Sequence, residues 1–486
     1  MKLFQKLFKQ TFIYGLATVL PRMLSFLLLP LYSSVMPPGL YGEVSLVFVW
    51  FAIFNVMLAY GMETAFFRFY TREKNKEQVL STSLISISGS TLLFLLASLL
   101  FREEISHLLN VDLRYMGYFI AILCLDALVI IPFARLRAME RPEVYAIVKI
   151  ANISVNLGFN LFFLLALPRM AATGGESLWS AMYKPDFEVS YILISNVIAS
   201  GITLLILSGN YVKLRLDFNK DLLKRMLYYG LPVMLAGVAF TINEVFDKYL
   251  LTELLPEDIA KTEMGKYAAC YRLAMFMTLF ATAFRLGIEP FFFSHANSEN
   301  PRKAYAQITN YFVVLGSVIL LAVVVFADVL KELFVRDEAY WEAMDIVPIV
   351  LLASFFLGIY HNLSVWYKVT DRTRFGAIIS VAGAVITIGI NYYFIPRFSY
   401  FASAWATLAA YGSMVLLSYF LGKKYYPIPY NLRKIFFYMG ISILFSALSF
   451  YVFNRDLFPG LVLLLVFLGV LYRLEKEVLL KLIRGE

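Results

Sequence analysis

Residues 11–32 read TFIYGLATVLPRMLSFLLLPLY, an apolar run interrupted by one cation, Arg22, directly after Pro21. About 20 apolar residues cross the hydrocarbon core of a bilayer, so this stretch reads as a membrane helix carrying a charge halfway along its length. Working outward, apolar runs bounded by charge, Pro or Gly recur near 41–62, 80–101, 115–135, 145–168, 187–208 and 227–252. A second set lies near 266–290, 305–330, 342–365, 375–396, 399–421, 433–453 and 457–473. These runs predict an all-α polytopic membrane protein with about 14 spans. Composition agrees, because 60% of the 486 residues are apolar and only 16% are charged, against roughly 25% charged in soluble domains.

The placement of cations gives the orientation. Lys and Arg (43) exceed Asp and Glu (34), and with residue 1 on the cytoplasmic side the inside segments hold 28 cations against 10 in outside loops. That bias is the positive-inside pattern, and an even span count puts both termini in the cytoplasm. The opening MKLFQKLFKQ has no small-residue cleavage site after it, so a retained topogenic helix is expected. The five remaining cations, Arg22, Lys149, Lys248, Arg272 and Arg285, fall inside spans. Cys124 and Cys270 lie in apolar runs, which indicates neither a disulfide framework nor a metal site. The basic excess is accounted for by topology, with no nucleic-acid partner implied.

The chain also repeats itself. Tyr14-Gly15-Leu16 matches Tyr229-Gly230-Leu231, Glu63-Thr64-Ala65-Phe66-Phe67 matches Glu289-Pro290-Phe291-Phe292-Phe293, and Gly158-Phe159-Asn160 matches Gly389-Ile390-Asn391. The pieces keep one order at equivalent span ends, and six spans separate the copies, so the copies are parallel. The expected organisation is an N-lobe of six helices over 1–215, a C-lobe of six over 216–422, and two further helices with a cytoplasmic tail over 423–486.

Charges inside a membrane cost about 2.5–3.5 kcal/mol each at the bilayer centre, so they face a bundle interior or water. Arg22 and Arg272 have no acidic residue within one turn, and Arg285 sits one turn before Glu289. A guanidinium stays charged when partly dehydrated and forks onto phosphate oxygens, so Arg22, Arg272 and Arg285 are the expected contacts for an anionic, pyrophosphate-bearing lipid. Asn152, Asn156 and Asn160 form a polar stripe at four-residue spacing. The stripe serves either helix-to-helix hydrogen bonding or, at Asn156 and Asn160, substrate contact. Asn243, Glu244, Asp247 and Lys248 share a face of one span, and Glu244, Asp247 and Lys248, together with Asp126, are the candidates for coupling to H⁺ or Na⁺. Glu244 with Lys248, and Arg285 with Glu289, are equally suited to structural i,i+4 bridges. Glu63, Arg68 and Glu289 border the cytoplasm as candidate gate residues.

Enzymatic signatures are missing. His107, His295 and His361 are scattered, and no H-E-x-x-H, Walker A or G-x-S-x-G pattern occurs. Short loops leave no room for a soluble catalytic domain, so the expectation is a transporter with no catalytic residue, metal or cofactor.

At this level the chain resembles the polysaccharide transporter (Wzx-like O-antigen and capsule flippase) family of the multidrug/oligosaccharidyl-lipid/polysaccharide exporter superfamily. The resemblance rests on Tyr14-Gly15 through Pro21-Arg22, Leu29-Pro30-Leu31-Tyr32, Leu40-Tyr41-Gly42 and Gly61-Met62-Glu63-Thr64-Ala65-Phe66-Phe67-Arg68-Phe69. It continues through Arg137-Ala138-Met139-Glu140-Arg141-Pro142, Tyr271-Arg272-Leu273-Ala274 and Glu289-Pro290-Phe291-Phe292. It implies fourteen helices whose lobes form a V around a central cavity. It further implies a bacterial inner-membrane flippase for undecaprenyl-pyrophosphate-linked oligosaccharide in lipopolysaccharide and related polysaccharide biosynthesis, driven by an ion gradient. Its partners would be the lipid-linked oligosaccharide, membrane lipid and the polymerase and chain-length machinery. The competing readings are a membrane-embedded sugar or phosphate transferase and a cation-coupled multidrug exporter.

Overall fold

A computed structural model describes Gly15 and residues 19–173, 178–212, 217–294, 300–370 and 372–484. The basic N-terminal segment, Tyr14 and Leu16 of the repeat, and the start of the first span lie outside the described residues, as does the Glu289 side chain. The described residues form helices and no strand. Twelve helices among them are long and apolar enough to cross a membrane. A thirteenth candidate is the pair Glu257–Arg272 and Met275–Ile288, joined at a 48° bend, and the shorter apolar helix Val19–Val35 falls in the first predicted span. Among the described residues the expected count of about fourteen is thus roughly met, and the protein is a multi-pass membrane protein. The first helix breaks at Leu27, three residues before Pro30. Pro30 has no N–H for the Phe26 carbonyl, which gives the break a local cause.

The chain forms two compact units, one comprising Met1–Ala268 with Ser380–Ser403 and the other Ala269–Ile379 with Ala404–Glu486. In the first unit, helix Pro38–Ala59 continues into Met62–Arg72 through a break at Tyr60 and Gly61, both left-handed (φ 31° and 73°). Gly61 is required twice over. Its backbone is one that L side chains rarely adopt, and a Cβ there would overlap the Gly230 carbonyl of helix Lys220–Leu254. Below this contact Met62, Phe66, Leu80, Leu84, Ile131 and Met226 form one buried cluster from four helices. Small residues let these backbones approach closely, which is where lipid-embedded helices gain packing energy.

The second unit is built around helix Pro301–Val325. Gly316 and Gly358 accept the rings of Phe355 and Phe312, respectively, where a Cβ would collide. Leu321, Val325, Tyr438, Leu464 and Phe467 pack that helix against Leu432–Ala447 and Leu457–Arg484. The last two helices are tied by Glu475, which accepts from Lys434 (2.8 Å) and from the Tyr438 hydroxyl (2.9 Å).

Candidate functional site

Within the first unit six stretches of helix line a cleft of about 520 Å³, Lys220–Leu254 closing one side with Val233, Met234 and Gly237. Pro38–Ala59 contributes Asn55, and Glu63 follows the left-handed break. Leu113–Ala138 contributes Asp126, Pro142–Leu161 contributes Tyr145, Lys149 and Asn152, and Glu188–Leu207 contributes Asn196, Ser200 and Thr203. The spacings 145/149/152 and 196/200/203 are the three- and four-residue intervals that put side chains on one helix face. Two polar stripes thus line a cleft whose outer surfaces are apolar.

Asp126 is the centre of this cleft. Ser200 donates to its carboxylate at 2.7 Å, and the Asn55 side chain bonds to it as well. Lys149, its electrostatic counterpart, holds its ammonium 4.3 Å from the centre of the Phe133 ring. Asn152 donates to the Thr203 hydroxyl at 2.9 Å. Pro132, six residues past Asp126, cannot donate to the carbonyl of Leu128, and the Tyr211 hydroxyl does so at 2.5 Å. That bond satisfies a buried carbonyl and anchors the helix carrying Asp126. Toward the end expected to be cytoplasmic, Glu63 is ion-paired with Arg137, and Arg68 stacks its guanidinium 4.3 Å from the centre of the Tyr229 ring.

The other predicted residues sit elsewhere. Asn156 and Asn160 are buried, and Asn160 accepts from the Tyr32 hydroxyl (2.9 Å) while donating to the Asn156 carbonyl (2.8 Å). The face carrying Asn243, Glu244, Asp247 and Lys248 is divided: Asn243 and Asp247 are buried and Glu244 is exposed. Asn243 donates to the Ser380 carbonyl and accepts from Thr387 (2.8 and 3.1 Å). Asp247 accepts from the Tyr267 hydroxyl (2.6 Å) and from Lys248 (3.2 Å). Arg22 is exposed, and Arg272 and Arg285 are half-buried. Arg272 ends one helix and Arg285 lies on Met275–Ser294. At 1.5 Å rise per residue Arg285 is about 15 Å along that second helix, so the two guanidiniums stand at successive levels.

Asp126 and Lys149 stand out in the sequence as charges among apolar residues, whereas Asn55, Asn196 and Ser200 do not. The 196/200/203 spacing was the available signal. Among the described residues no group of three or more His, Cys, Asp or Glu could hold a metal ion. A carboxylate, an ammonium and several amides and hydroxyls in membrane-buried polar space can bind a polar solute and exchange a proton or small cation.

A family model described as "Polysaccharide biosynthesis protein" matches residues 7–284, more than half of the chain, and one described as "MatE" matches residues 232–393. A search of curated proteins gave no match. Among solved structures, the lipid II flippase MurJ in an inward closed conformation aligns with TM-score 0.74 at 14% identity, covering 95% of this chain and 99% of that one. An inward-facing multidrug resistance MATE family transporter of the MOP superfamily gives TM-score 0.63 at 15% identity over 82% and 93% of the two chains. The Vibrio cholerae MATE transporter VcmN gives 0.59 at 14% over 87% and 98%. At these identities the likeness is one of fold.

Proposed function

The chain belongs to the polysaccharide biosynthesis protein family, and from that premise we propose that it is a flippase. Its cargo is an undecaprenyl-pyrophosphate-linked oligosaccharide carried from the inner to the outer leaflet of the bacterial inner membrane, with both termini cytoplasmic. The observation that carries this reading is an open cleft of about 520 Å³ into which apolar helices turn a carboxylate, a lysine, amides and hydroxyls, a volume within the roughly 300–1,000 Å³ of ligand sites. Arg22, Arg272 and Arg285 attract the pyrophosphate while the prenyl tail stays in lipid, so head and tail keep matching solvents. The lobes expected from the repeat, 1–215 and 216–422, alternate access around the cargo. Glu63, Arg68 and Glu289 gate the cytoplasmic end. Products pass to polymerase and chain-length machinery.

Coupling to H⁺ or Na⁺ is best assigned to Asp126 among the four candidates. It faces the cleft, whereas Asp247 is engaged by Tyr267 and Lys248. Neutralising Asp126 would release Ser200 and Asn55 and leave Lys149 as the dominant charge beside it. The chemistry needs no bond-making step, and no enzymatic activity is invoked.

The test is reconstitution of the full chain in vesicles with a fluorescent prenyl-pyrophosphate oligosaccharide whose outer-leaflet label is quenched by a membrane-impermeant reductant. Protein-dependent loss of protection with unchanged lipid mass supports the proposal. A changed lipid mass identifies a transferase instead. One observation favours a second reading: the cleft is lined by two carboxylates, Glu63 and Asp126, against one lysine, which suits a cationic solute, and a MatE model matches part of the chain. Uptake of a labelled organic cation, with the labelled lipid immobile, would establish that exporter reading.

A further inference from the structure

In the second unit a cavity of about 680 Å³ lies where helix Pro301–Val325 begins and helix Tyr400–Tyr425 ends. Arg302, Lys303 and Lys423 line it, and no carboxylate is among its described lining residues. Its floor is apolar and aromatic, formed by Ile428, Tyr419 and Tyr430, whose tyrosine rings are 6.2 Å apart. Both contributing segments belong to loops expected on the cytoplasmic side, at the level where spans leave the bilayer.

Three features make this an anion receptor. The cations converge from two separate helices, so their mutual repulsion is unrelieved within the cavity lining. The 25-residue helix Pro301–Val325 begins here with Pro at its first position, and the Asn300 side chain makes no capping bond. The N–H groups of Arg302 and Lys303 precede the first possible intrahelical acceptor, and the helix dipole adds positive potential at that point. Arg302 is held 4.5 Å from the centre of the Tyr426 ring, which orients its guanidinium without neutralising it.

We propose that this cavity binds a phosphate headgroup, with Arg302, Lys303, Lys423 and the helix N-terminus gripping the phosphate and the Tyr419–Ile428–Tyr430 floor receiving the apolar part of its carrier. That amphipathic lining fits an anionic phospholipid of the cytoplasmic leaflet, the partner of basic pockets between membrane helices. The site is separate from the cleft around Asp126, and the proposal does not rest on the flippase reading.

The full chain in neutral detergent is given phosphatidylglycerol, phosphatidylcholine or inorganic phosphate alone, and retained ligand is counted by native mass spectrometry alongside thermal unfolding. Wild type is expected to retain phosphatidylglycerol in preference to phosphatidylcholine. The triple variant Arg302→Gln, Lys303→Gln, Lys423→Gln should weaken that retention on the order of a hundredfold, from about 1 kcal/mol for each basic residue near anionic lipid. The charge-preserving set Arg302→Lys, Lys303→Arg, Lys423→Arg should keep most of it, and Lys423→Gln alone covers a triple variant that fails to fold. Stabilisation by inorganic phosphate that vanishes in the same variants, without added effect of phosphatidylglycerol, would support the phosphate site and assign it to a soluble anion. Equal retention of phosphatidylglycerol by wild type, triple variant and Lys423→Gln, with no phosphate effect, overturns the proposal.

Discussion

Asn160 and Asn391, 231 positions apart in the chain, make the same two hydrogen bonds. Each is fully buried, accepts a hydroxyl through Oδ1 (from Tyr32 at 2.9 Å and from Ser403 at 2.8 Å), and donates through Nδ2 to the carbonyl four residues earlier at 2.8 Å. These are the asparagines that close the third repeated motif. In hydrocarbon an amide without partners is expensive, so an asparagine that satisfies itself along its own helix and reaches one hydroxyl on another helix is an economical fastening.

Substituting either asparagine should therefore weaken helix packing by similar amounts. Asn160→Ala and Asn391→Ala are each expected to lower stability by about 0.6–1.7 kcal/mol, measured by unfolding in mixed micelles, with Tyr32→Phe in the same range. A neutral Asn160→Ala would show that its buried bonds contribute nothing.

Asp126 should control energy coupling. Asp126→Asn retains the shape of the carboxylate and its reach to Ser200 and Asn55 but cannot titrate, so the response of transport to an imposed gradient should fall at least about tenfold with insertion intact. Ser200→Ala should alter the pH at which transport is half-maximal and preserve coupling. Gradient-driven transport by Asp126→Asn equal to wild type would remove Asp126 from the mechanism.

The Gly61–Gly230 crossing should resist any side chain. Gly61→Ala combines left-handed strain of about 1–2 kcal/mol with overlap of the Gly230 carbonyl, for which overpacking costs about 1–3 kcal/mol. Gly230→Ala meets its nearest atom, the Tyr60 carbonyl oxygen, at 3.0 Å and should be milder. Thermal unfolding of the two variants in detergent checks the order, and equal stability of Gly61→Ala and wild type would contradict it.

On the side expected to be external, Asp112 caps helix Leu113–Ala138 by accepting from the Arg114 N–H at 2.8 Å and pairs with the Arg114 guanidinium at 2.8 Å. The Arg114 side-chain bond holds its carboxyl below the ordinary value. A lowered folded-state pKa contributes stability that is complete above the unfolded value, near 3.9, and disappears as pH falls through the folded value. Asp112→Ala should cost about 1 kcal/mol at neutral pH, and its gap from wild type should narrow as pH falls below the ordinary carboxylate range and through the lowered folded value. A gap independent of pH would mean that the charge contributes nothing.

Much of the fold was legible because a membrane helix satisfies its own backbone within one segment, so its signal is local. Residues 113–138 read as a span without knowledge of any neighbour. The cleft was only half legible. Asp126 and Lys149 were visible as charges among apolar residues, but Ser200 and Asn55 resemble the many polar residues that fasten helices elsewhere in the chain. The shared face expected of Asn243, Glu244, Asp247 and Lys248 divided, because helical spacing defines an angle around the axis and leaves open which angles the neighbours cover.

The sequence by itself determined that the chain is a polytopic helical membrane protein, where its apolar helices run and which charged residues lie within them, since each follows from transfer energies summed over one segment. Tertiary structure alone decided that Asp126 meets Ser200, that Asp247 meets Tyr267 and that Tyr211 takes the carbonyl freed by Pro132. Those pairings depend on the rotation and depth at which separate helices pack, and short-range packing and hydrogen bonds between distant segments set both.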